Sequence, residues 1–326
     1  MMPSRHFLAE HKGTIAAFLT ALAFFTLYVA NHPVGLTAAV ATTAANKGVL
    51  LALVAMAQTL PVLTAGLDLS VGMVFVLANC LASTLVHGSP FETTVGVVAV
   101  LLTGLLCGLL NGVIIVYGRL QPIITTLATG AVYYGVALIL RPVPGGDVNS
   151  ALADALTGQL PGGIPASLIV ILAVVVFIWL PYRRSVLGRA AYAVGSSETA
   201  AFMSGVPIDK AKILAYMLSG LLAAIAGLML TFITYSGEAS SAIGGTYTLN
   251  SIAAVVIGGT SLFGGSGSAV GSIFGAFVLR TIGDLLFVFD LEPFWQPLVQ
   301  GIILLAAVSL GAFRLLRMRN RLDVFT

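Results

Sequence analysis

Charged side chains are scarce in this sequence of 326 residues. Asp, Glu, Lys and Arg together make up 8% of the chain, whereas 58% of it is hydrophobic. A soluble domain carries roughly 25% charged residues, and no soluble fold of this size hides so much apolar surface. Uncharged runs such as residues 14–30 and 94–116 have the length of about 20 residues that crosses a bilayer. The composition excludes an ordinary soluble protein and predicts an all-α polytopic membrane protein.

Cysteine and histidine are also rare. Cys80 and Cys107 lie within apolar runs and have no metal-binding or redox spacing. The four histidines are scattered, and no Ser-His-acid arrangement is discernible. We therefore predict no catalytic residue and no metal site, and we assign both cysteines to the core. The 15 basic residues lie at the ends of apolar runs without interleaved aromatics, so no nucleic-acid partner is predicted.

Apolar runs bounded by polar residues, Gly or Pro predict about ten transmembrane helices. They cover residues 14–31, 48–66, 69–87, 94–117, 122–140, 166–181, 210–235, 248–260, 267–289 and 296–313. If the N-terminus is cytoplasmic, 12 of the 15 basic residues fall on the cytoplasmic side, as the positive-inside rule requires. We predict a single transmembrane domain over residues 1–326 with both termini in the cytoplasm.

Two glycine patterns suggest an internal repeat. Glycine recurs every fourth residue in the fourth span (104, 108 and 112) and in the ninth span (267, 271 and 275). Five spans in each half would give the halves opposite orientations, so we predict two inverted repeats. Ordinary close packing of membrane helices is the alternative explanation of these glycines.

The segment Gly66-Leu67-Asp68-Leu69-Ser70-Val71-Gly72 separates the second and third spans, and Pro61 precedes it. Proline and glycine interrupt helices, and a break at membrane depth needs protein or water to satisfy the freed backbone groups. We interpret Asp68 as a cap that accepts the first amides of the next helix, with Ser70 assisting. Binding of a proton or an ion by Asp68 is the alternative.

A second break is predicted at Gly258-Gly259-Thr260-Ser261-Leu262-Phe263-Gly264-Gly265-Ser266-Gly267. It nearly fits a dinucleotide-binding loop, but Val270 occupies the place of the third glycine and no soluble strand precedes it. Arg280 and Asp284 follow on the ninth span, four residues apart, so they can pair on one helix face. Mutual neutralisation and a role in lining a path both remain open for this pair.

The long cytoplasmic loop, residues 182–209, contains a short predicted helix at about 197–205. Its residues are Ser197, Glu198, Thr199, Ala200, Ala201, Phe202, Met203, Ser204 and Gly205. A Ser cap followed by an acidic residue begins the helix, and Gly205 with Pro207 ends it. The helix presents apolar side chains in a loop that faces water, and basic residues flank it without forming a stripe. This pattern favours a protein partner over the membrane surface.

Several segments resemble the permease subunits of bacterial ABC importers for sugars, of the ribose/xylose/galactofuranose type. They are Gly66 to Gly72, Asn111-Gly112 with Gln121 to Leu127, Gly195 to Gly205, Leu218-Ser219-Gly220, and Ile252 to Leu262 with Gly264, Gly265 and Gly267. The matches run in order from about residue 48 to 313. Departures from the family pattern include Phe202, where a basic residue is frequent, and Thr248-Leu249-Asn250, where Glu-Leu-Asp is common at the outer end of the eighth span.

The resemblance implies a permease subunit of an ATP-driven, binding-protein-dependent importer in the bacterial inner membrane. Its partners would be a second permease copy, identical or paralogous, a cytoplasmic ATP-binding subunit, a periplasmic substrate-binding protein and the surrounding membrane lipid. The chain itself would hold no cofactor, because ATP and Mg would bind the partner ATPase. Residues 197–205 would couple to that ATPase.

The substrate class that the resemblance favours is a monosaccharide or a related polyol or glycoside. We assign the following residues to the broken helices and the path: Gly66, Asp68, Ser70, Gly72, Asn79, Asn111, Thr125, Thr126, Asn250, Gly258, Gly259 and Thr260. The alternatives are an ion-coupled secondary transporter, or an ABC permease for amino acids, nucleosides or a signalling molecule.

Overall fold

The computed structural model describes residues 3–292, 294–303, 305, 306 and 309, with side chains from residue 12 onward. The helices are α1 (Pro3–Asn31), α2 (Ala38–Leu63), α3 (Val71–Leu85), α4 (Pro90–Tyr117), α5 (Pro122–Leu140), α6 (Ser150–Thr157), α7 (Ala166–Val174), α8 (Leu180–Arg184), α9 (Val186–Ser196), α10 (Glu198–Met203), α11 (Ile208–Thr234), α12 (Ser241–Ile257) and α13 (Ala269–Val288). A short antiparallel hairpin pairs β1 (Gln159–Leu160) with β2 (Ile164–Pro165). A further helical segment covers residues 295–303.

Seven helical segments within the described residues are long and apolar enough to cross a membrane. They are residues 12–31 of α1, the whole of α2, α4, α5, α11 and α13, and the continuous segment 166–184. Helices α3 and α12 are apolar but have only 15 and 17 residues, so at 1.5 Å per residue they span roughly 22 and 26 Å. Nine of the ten predicted spans are therefore present. The tenth begins in the helical segment at 295–303, and most of its remainder lies outside the described residues.

Two predicted boundaries are wrong. Helix α2 begins at Ala38, ten residues before the predicted start, because Thr37 caps it by accepting a hydrogen bond from the amide of Val40. Helix α12 begins at Ser241, seven residues early, because Ser240 accepts from the amide of Ile243. Both helices begin with small and polar residues that hydropathy alone assigns to a loop, whereas Ser and Thr caps stabilise helix ends at such places.

Proline shapes the sixth predicted span. Helix α7 continues through a π-helical turn, Val175–Trp179, into α8. Pro181 has no amide hydrogen to donate, and the widened turn removes the clash that a proline ring causes in an α-helix. The segment therefore crosses as one rod, with Trp179 and Tyr182 buried against the bundle.

The helix packing follows the predicted repeat. Counting spans, α2, α3 and α4 correspond to α11, α12 and α13. Helix α4 packs on α11 as α13 packs on α2, and α3 packs on α11 as α12 packs on α2. Exchanging the halves preserves these neighbours, which supports the repeat. The first and sixth spans differ, because α1 packs on α13 whereas its counterpart, the segment 166–184, packs on α2.

The glycines of the repeat permit these close approaches. A Cβ at Gly108 would lie 2.1 Å from the carbonyl oxygen of Tyr216 on α11, and one at Gly275 would lie 2.1 Å from that of Ala254 on α12. We predicted Gly267 to be part of this set, and that prediction is wrong. Helix α13 begins only at Ala269, and Gly267 lies in the loop before it with φ +136°.

Two interruptions, the first break (residues 64–72, including the first two residues of α3) and the second break (residues 258–268), lie at the same end of the bundle. The amide of Gly265 donates to the carbonyl of Leu63 across 3.2 Å. A Cβ at Gly264 would lie 2.9 Å from the Cα of Gly195, near the end of α9. Both breaks therefore adjoin the end of α9, and α10 begins two residues after that end.

The opposite end is closed by α6, the hairpin and a β-bridge between Gly145 and Gly237. There Tyr235 donates a hydrogen bond to the carboxylate of Asp154. This bond to a negative charge raises the pKa of the Tyr235 hydroxyl, because ionising it would place two anions side by side.

Candidate translocation path and coupling surface

Asp68 is the centre of the first break, and the residue is 1% exposed. One carboxylate oxygen accepts hydrogen bonds from the amide of Ser70 at 3.0 Å and from its hydroxyl at 2.6 Å. The other oxygen accepts from the hydroxyl of Ser219 on α11 at 3.0 Å. Within the described residues no Lys or Arg forms an ion pair with Asp68. Hydroxyl and amide groups alone therefore hold this carboxylate in place.

The predicted capping role of Asp68 is only partly right. Its carboxylate holds the amide of Ser70, the residue before α3, and not the amides inside the helix. Two neighbouring amides, that of Gly72 in the first turn of α3 and that of Leu69 before the helix, are bound by side chains of other helices. The hydroxyl of Thr248 on α12 accepts from the amide of Gly72 at 3.1 Å, and the hydroxyl of Thr126 on α5 accepts from the amide of Leu69 at 2.9 Å.

Asn111 extends the polar network from the break into α4 and α5. Its side-chain amide donates to the hydroxyl of Ser70 at 2.8 Å. Its carbonyl oxygen accepts from the hydroxyls of Thr129 at 2.7 Å and Tyr133 at 3.1 Å. The chain from Asp68 to Tyr133 is thus a continuous set of hydrogen bonds that joins the first break to α4, α5 and α11.

The glycines of the first break are required by contact. A Cβ at Gly66 would lie 2.5 Å from the hydroxyl oxygen of Tyr216, and one at Gly72 would lie 1.9 Å from the carbonyl oxygen of Gly244. Thr125 is buried beside this region, and its hydroxyl has no hydrogen-bond partner among the described residues. The hydroxyl of Tyr216 also has no partner among the described residues, so the break is a crowded crossing with two unpaired hydroxyl groups.

Asn79 lies away from this network. It is eight residues into α3, roughly 12 Å from the start of that helix. Its amide donates to the hydroxyl of Thr231 at 2.8 Å and to the carbonyl of Ser236 at 3.1 Å, and its carbonyl oxygen accepts from the amide of Glu238 at 2.9 Å. Asn79 therefore fixes the far end of α11 and does not join Asp68 as the grouping in the sequence suggested.

The second break is built mainly from backbone contacts. Gly258 lies against Gly271, and Gly259 lies against Gly13 of α1. The buried hydroxyl of Thr260 accepts from the amide of Ser268 at 3.2 Å and so closes the loop onto the start of α13. This loop is a compact spacer between α12 and α13.

Asn250 does not lie at the outer end of a helix as predicted. Since α12 begins at Ser241, Asn250 is in the interior of the helix, and its amide donates to the side chain of Gln300 at 3.2 Å. The helix begins earlier than predicted. Asn250, which we expected at the outer opening of the path, therefore contacts the segment at 295–303.

Helix α10 has the predicted capping and terminating residues. Ser197 accepts a hydrogen bond from the amide of Ala200, Glu198 lies in the first turn, and Gly205 has φ +69°. Of residues 197–205, Ala201 is buried and the others are exposed, with Phe202 75% and Met203 82% exposed.

The pair of Arg280 and Asp284 forms as predicted, with 3.5 Å between a guanidinium nitrogen and a carboxylate oxygen. The sequence did not reveal a third member. The ammonium group of Lys47 on α2 lies 3.3 Å from the same oxygen. Two cations therefore share one anion.

Four residues of the network at the first break were not assigned to the site from the sequence: Ser219, Thr248, Thr129 and Tyr133. Each is a hydroxyl-bearing residue within an apolar span, and that is the signal that identifies them in retrospect. No group of three or more His, Cys, Asp or Glu side chains within the described residues is placed to hold a metal ion. The network contains hydrogen-bond donors and acceptors and no activated nucleophile.

Residues 40–308 match the family model described as branched-chain amino acid transport system / permease component. The chain belongs to this family. A permease component carries out transport, so membership confirms the predictions of a membrane permease and of a chain that is not an enzyme.

Curated relatives of this permease have similar lengths. The ribose import permease protein of Bacillus subtilis is 35% identical over 261 residues, which cover 79% of this chain and 80% of the relative. The fructose import permease protein of Rhizobium meliloti is 30% identical over 314 residues, covering 94% and 87%. The autoinducer 2 import system permease protein of an Enterobacter strain is 32% identical over 300 residues, covering 91% and 85%. No solved structure matches the chain.

Within the permease, the polar residues assigned from the sequence lie in six separate places. These are the network at the first break, the Asn79 contacts near the far end of α11, Thr260 in the second break, Asn250 inside α12, the pair of Arg280 and Asp284, and the exposed α10. The first break and α10 are linked through α11. Lys212, one turn into α11, lies 2.7 Å from Glu198 of α10, and Ser219 on the same helix binds Asp68.

Proposed function

We propose that this chain is the path-forming subunit of an ATP-driven, binding-protein-dependent importer in the bacterial inner membrane, with both termini in the cytoplasm. The observation that carries the proposal is α10, a capped helix with two exposed apolar residues at the end of the bundle that holds both breaks. Exposed apolar side chains on a rigid, capped helix are typical of a docking surface. The partner there is a cytoplasmic ATP-binding subunit, which holds the ATP and Mg.

The docking experiment is co-purification with the ATP-binding subunit of an importer from the same organism. The double variant F202E/M203E places charge where we propose an apolar contact, and we expect it to abolish co-purification and ATP-dependent uptake. The matched control is F91E, because Phe91 is 77% exposed at the opposite end of the bundle. If the double variant still binds the ATPase and still supports uptake, the docking assignment is wrong.

The same positions test the orientation. Single cysteines replacing Phe202 and Phe91 lie at opposite ends of the bundle, and the native Cys80 and Cys107 are buried. In right-side-out vesicles a membrane-impermeant maleimide should label F91C and spare F202C. The reverse labelling would place α10 and the N-terminal end of α1 outside.

A monosaccharide or a related compound is the proposed substrate class. Support comes from relatives named as importers of ribose, fructose and autoinducer 2, and a periplasmic binding protein would deliver the substrate. Uptake of labelled ribose should be competed by other monosaccharides and not by leucine. Competition by leucine or by a nucleoside, with none by sugars, would assign a different substrate class.

A second permease copy completes the path in this proposal. The α4 and α5 helices carry many exposed apolar side chains within the described residues, among them Leu106 and Leu127. A cysteine at Leu127 should form an intermolecular disulfide upon oxidation if α5 faces the other copy. A cysteine at Leu22 on α1, also exposed, is the control that should remain unpaired.

The buried carboxylate of Asp68 favours one rival, an ion-coupled transporter, because an unpaired intramembrane acid is a common proton or ion ligand. The two functions differ in their energy source. Uptake that stops upon ATP depletion and continues with an uncoupler supports the importer. Uptake that continues without ATP and stops with an uncoupler supports the rival.

A further inference from the structure

A groove of about 290 Å³ lies between α1, α2, α13 and the start of α7. Its walls are mainly apolar and include Phe18, Phe25, Ala41 and Phe277. Helix α1 covers it only loosely, since most of the residues of this helix are at least partly exposed. The groove is therefore a recess on the lipid-facing surface of the bundle.

One end of the groove carries charge. Arg280 and Asp284 line it, and the ammonium group of Lys47 binds Asp284 from α2. Two cations and one anion leave a net charge of +1. The Nε atom of Arg280 is buried and has no hydrogen-bond partner among the described residues, and the ammonium group of Lys47 has donors left after its bond to Asp284.

The dimensions of the groove follow from its helices. Asp284 at one end and Phe274 at the other are ten residues apart on α13, roughly 15 Å along the helix axis. Asp284 is four residues from the last residue of α13, roughly 6 Å inside the helix end. Long Lys and Arg side chains reach from such a depth toward the headgroup region. An apolar slot thus extends into the bilayer from a cationic rim near its surface.

We propose that this groove binds an anionic phospholipid, with one acyl chain along the apolar walls and the phosphate against Lys47 and Arg280. The slot matches an extended hydrocarbon chain in direction and character, and the net positive rim complements a negative headgroup. The site adjoins α13, which continues from the second break, so its occupant would brace the helix that follows that loop. The lipid comes from the outer leaflet if the proposed orientation is right, whereas the binding itself does not depend on that orientation or on the ATPase.

The test is native mass spectrometry of the full-length purified chain, titrated with dioleoyl phosphatidylglycerol or dioleoyl phosphatidylcholine. These lipids have the same tails and differ in headgroup charge. One net positive charge near the membrane surface favours the anionic lipid about fivefold. We expect K47Q to remove this preference and K12Q to retain it, because Lys12 is an exposed cation at the other end of α1.

A second pair of variants tests the slot itself. Ala41 lines the groove, whereas Ala39 is exposed on the same helix outside it. We expect A41F to weaken binding of both lipids at least fivefold and A39F to leave it unchanged, with circular dichroism showing that both variants fold. Equal binding of the two lipids by the native chain overturns the proposal, as does A41F binding like the native chain. If A41F retains its lipid but forms less dimer than the native chain, the proposal is also overturned and the groove is assigned to a second copy.

Discussion

The first break and the second break lie at the same end of the bundle, yet different groups close their backbones. In the first, side chains from α5, α11 and α12 reach in to bind Leu69, Asp68 and Gly72. In the second, glycines lie against neighbouring backbone, the hydroxyl of Thr260 in the loop accepts from the amide of Ser268, and one side chain from outside, Tyr192 of α9, donates to the carbonyl of Gly267. The first break therefore depends on side chains from three other helices, whereas the second depends on one such side chain and otherwise on backbone contacts.

The comparison predicts the largest loss where the first break meets α12. In G72A the new Cβ would lie 1.9 Å from a backbone carbonyl that cannot move alone, and such overpacking costs about 3 kcal/mol. The free energy of unfolding, measured by denaturant titration in detergent, should fall by that amount. The control G245A has no atom within 4 Å of its Cβ and should unfold like the native chain or slightly later. Equal stability of the two variants would contradict the crowding.

The next effect concerns the carboxylate. D68A leaves the hydroxyl and amide of Ser70 and the hydroxyl of Ser219 without their acceptor, and loss of such buried bonds costs about 2 kcal/mol. D68N should cost less than half as much, because its amide oxygen still accepts from Ser70. The same unfolding titration distinguishes them. If D68A and D68N lower the free energy of unfolding equally, the negative charge of Asp68, and not its hydrogen bonds, stabilises the first break.

The second break should respond more weakly to loss of a polar group. T260V removes the acceptor for the amide of Ser268 and keeps the shape of the side chain, so we expect a loss of about 1 kcal/mol in the free energy of unfolding. T246V is the control, since Thr246 is exposed on α12. A loss as large as that of D68A would show that the two breaks are equally dependent on side chains.

The smallest effect is predicted at the surface of the second break. Phe263 is exposed, so F263S should change the free energy of unfolding by less than about 0.5 kcal/mol. A larger loss would show that the loop depends on this side chain for its stability. Transport by F263S, measured beside its stability, reports whether a partner uses the ring.

The sequence located the breaks because proline, glycine and a lone acid are unusual within apolar runs. It also located α10, since Ser197 and Gly205 are local signals that act within one or two turns. These features depend on neighbours in sequence, and they were predictable for that reason.

The long-range partners of the polar residues were not predictable. Lys47 and Asp284 are 237 positions apart, and Ser219 and Asp68 are 151 apart. Only the packing of α2 on α13 and of α11 on the first break brings them together. Asn250 was misplaced because a polar start of α12 resembles a loop when hydropathy alone is used.

The ion pair of Glu198 with Lys212 has a mechanical consequence. Lys212 and Ser219 are seven residues apart, so they lie on the same face of α11 and roughly 10 Å apart along its axis. A helix of 27 residues resists bending over so short a distance. A tilt of α10 that pulled on Lys212 would therefore reach the carboxylate of Asp68 along a stiff rod, and a displacement of about 1 Å there is enough to exceed hydrogen-bonding distance. The first break would then lose its hydrogen bond to α11 although nothing binds to the break itself.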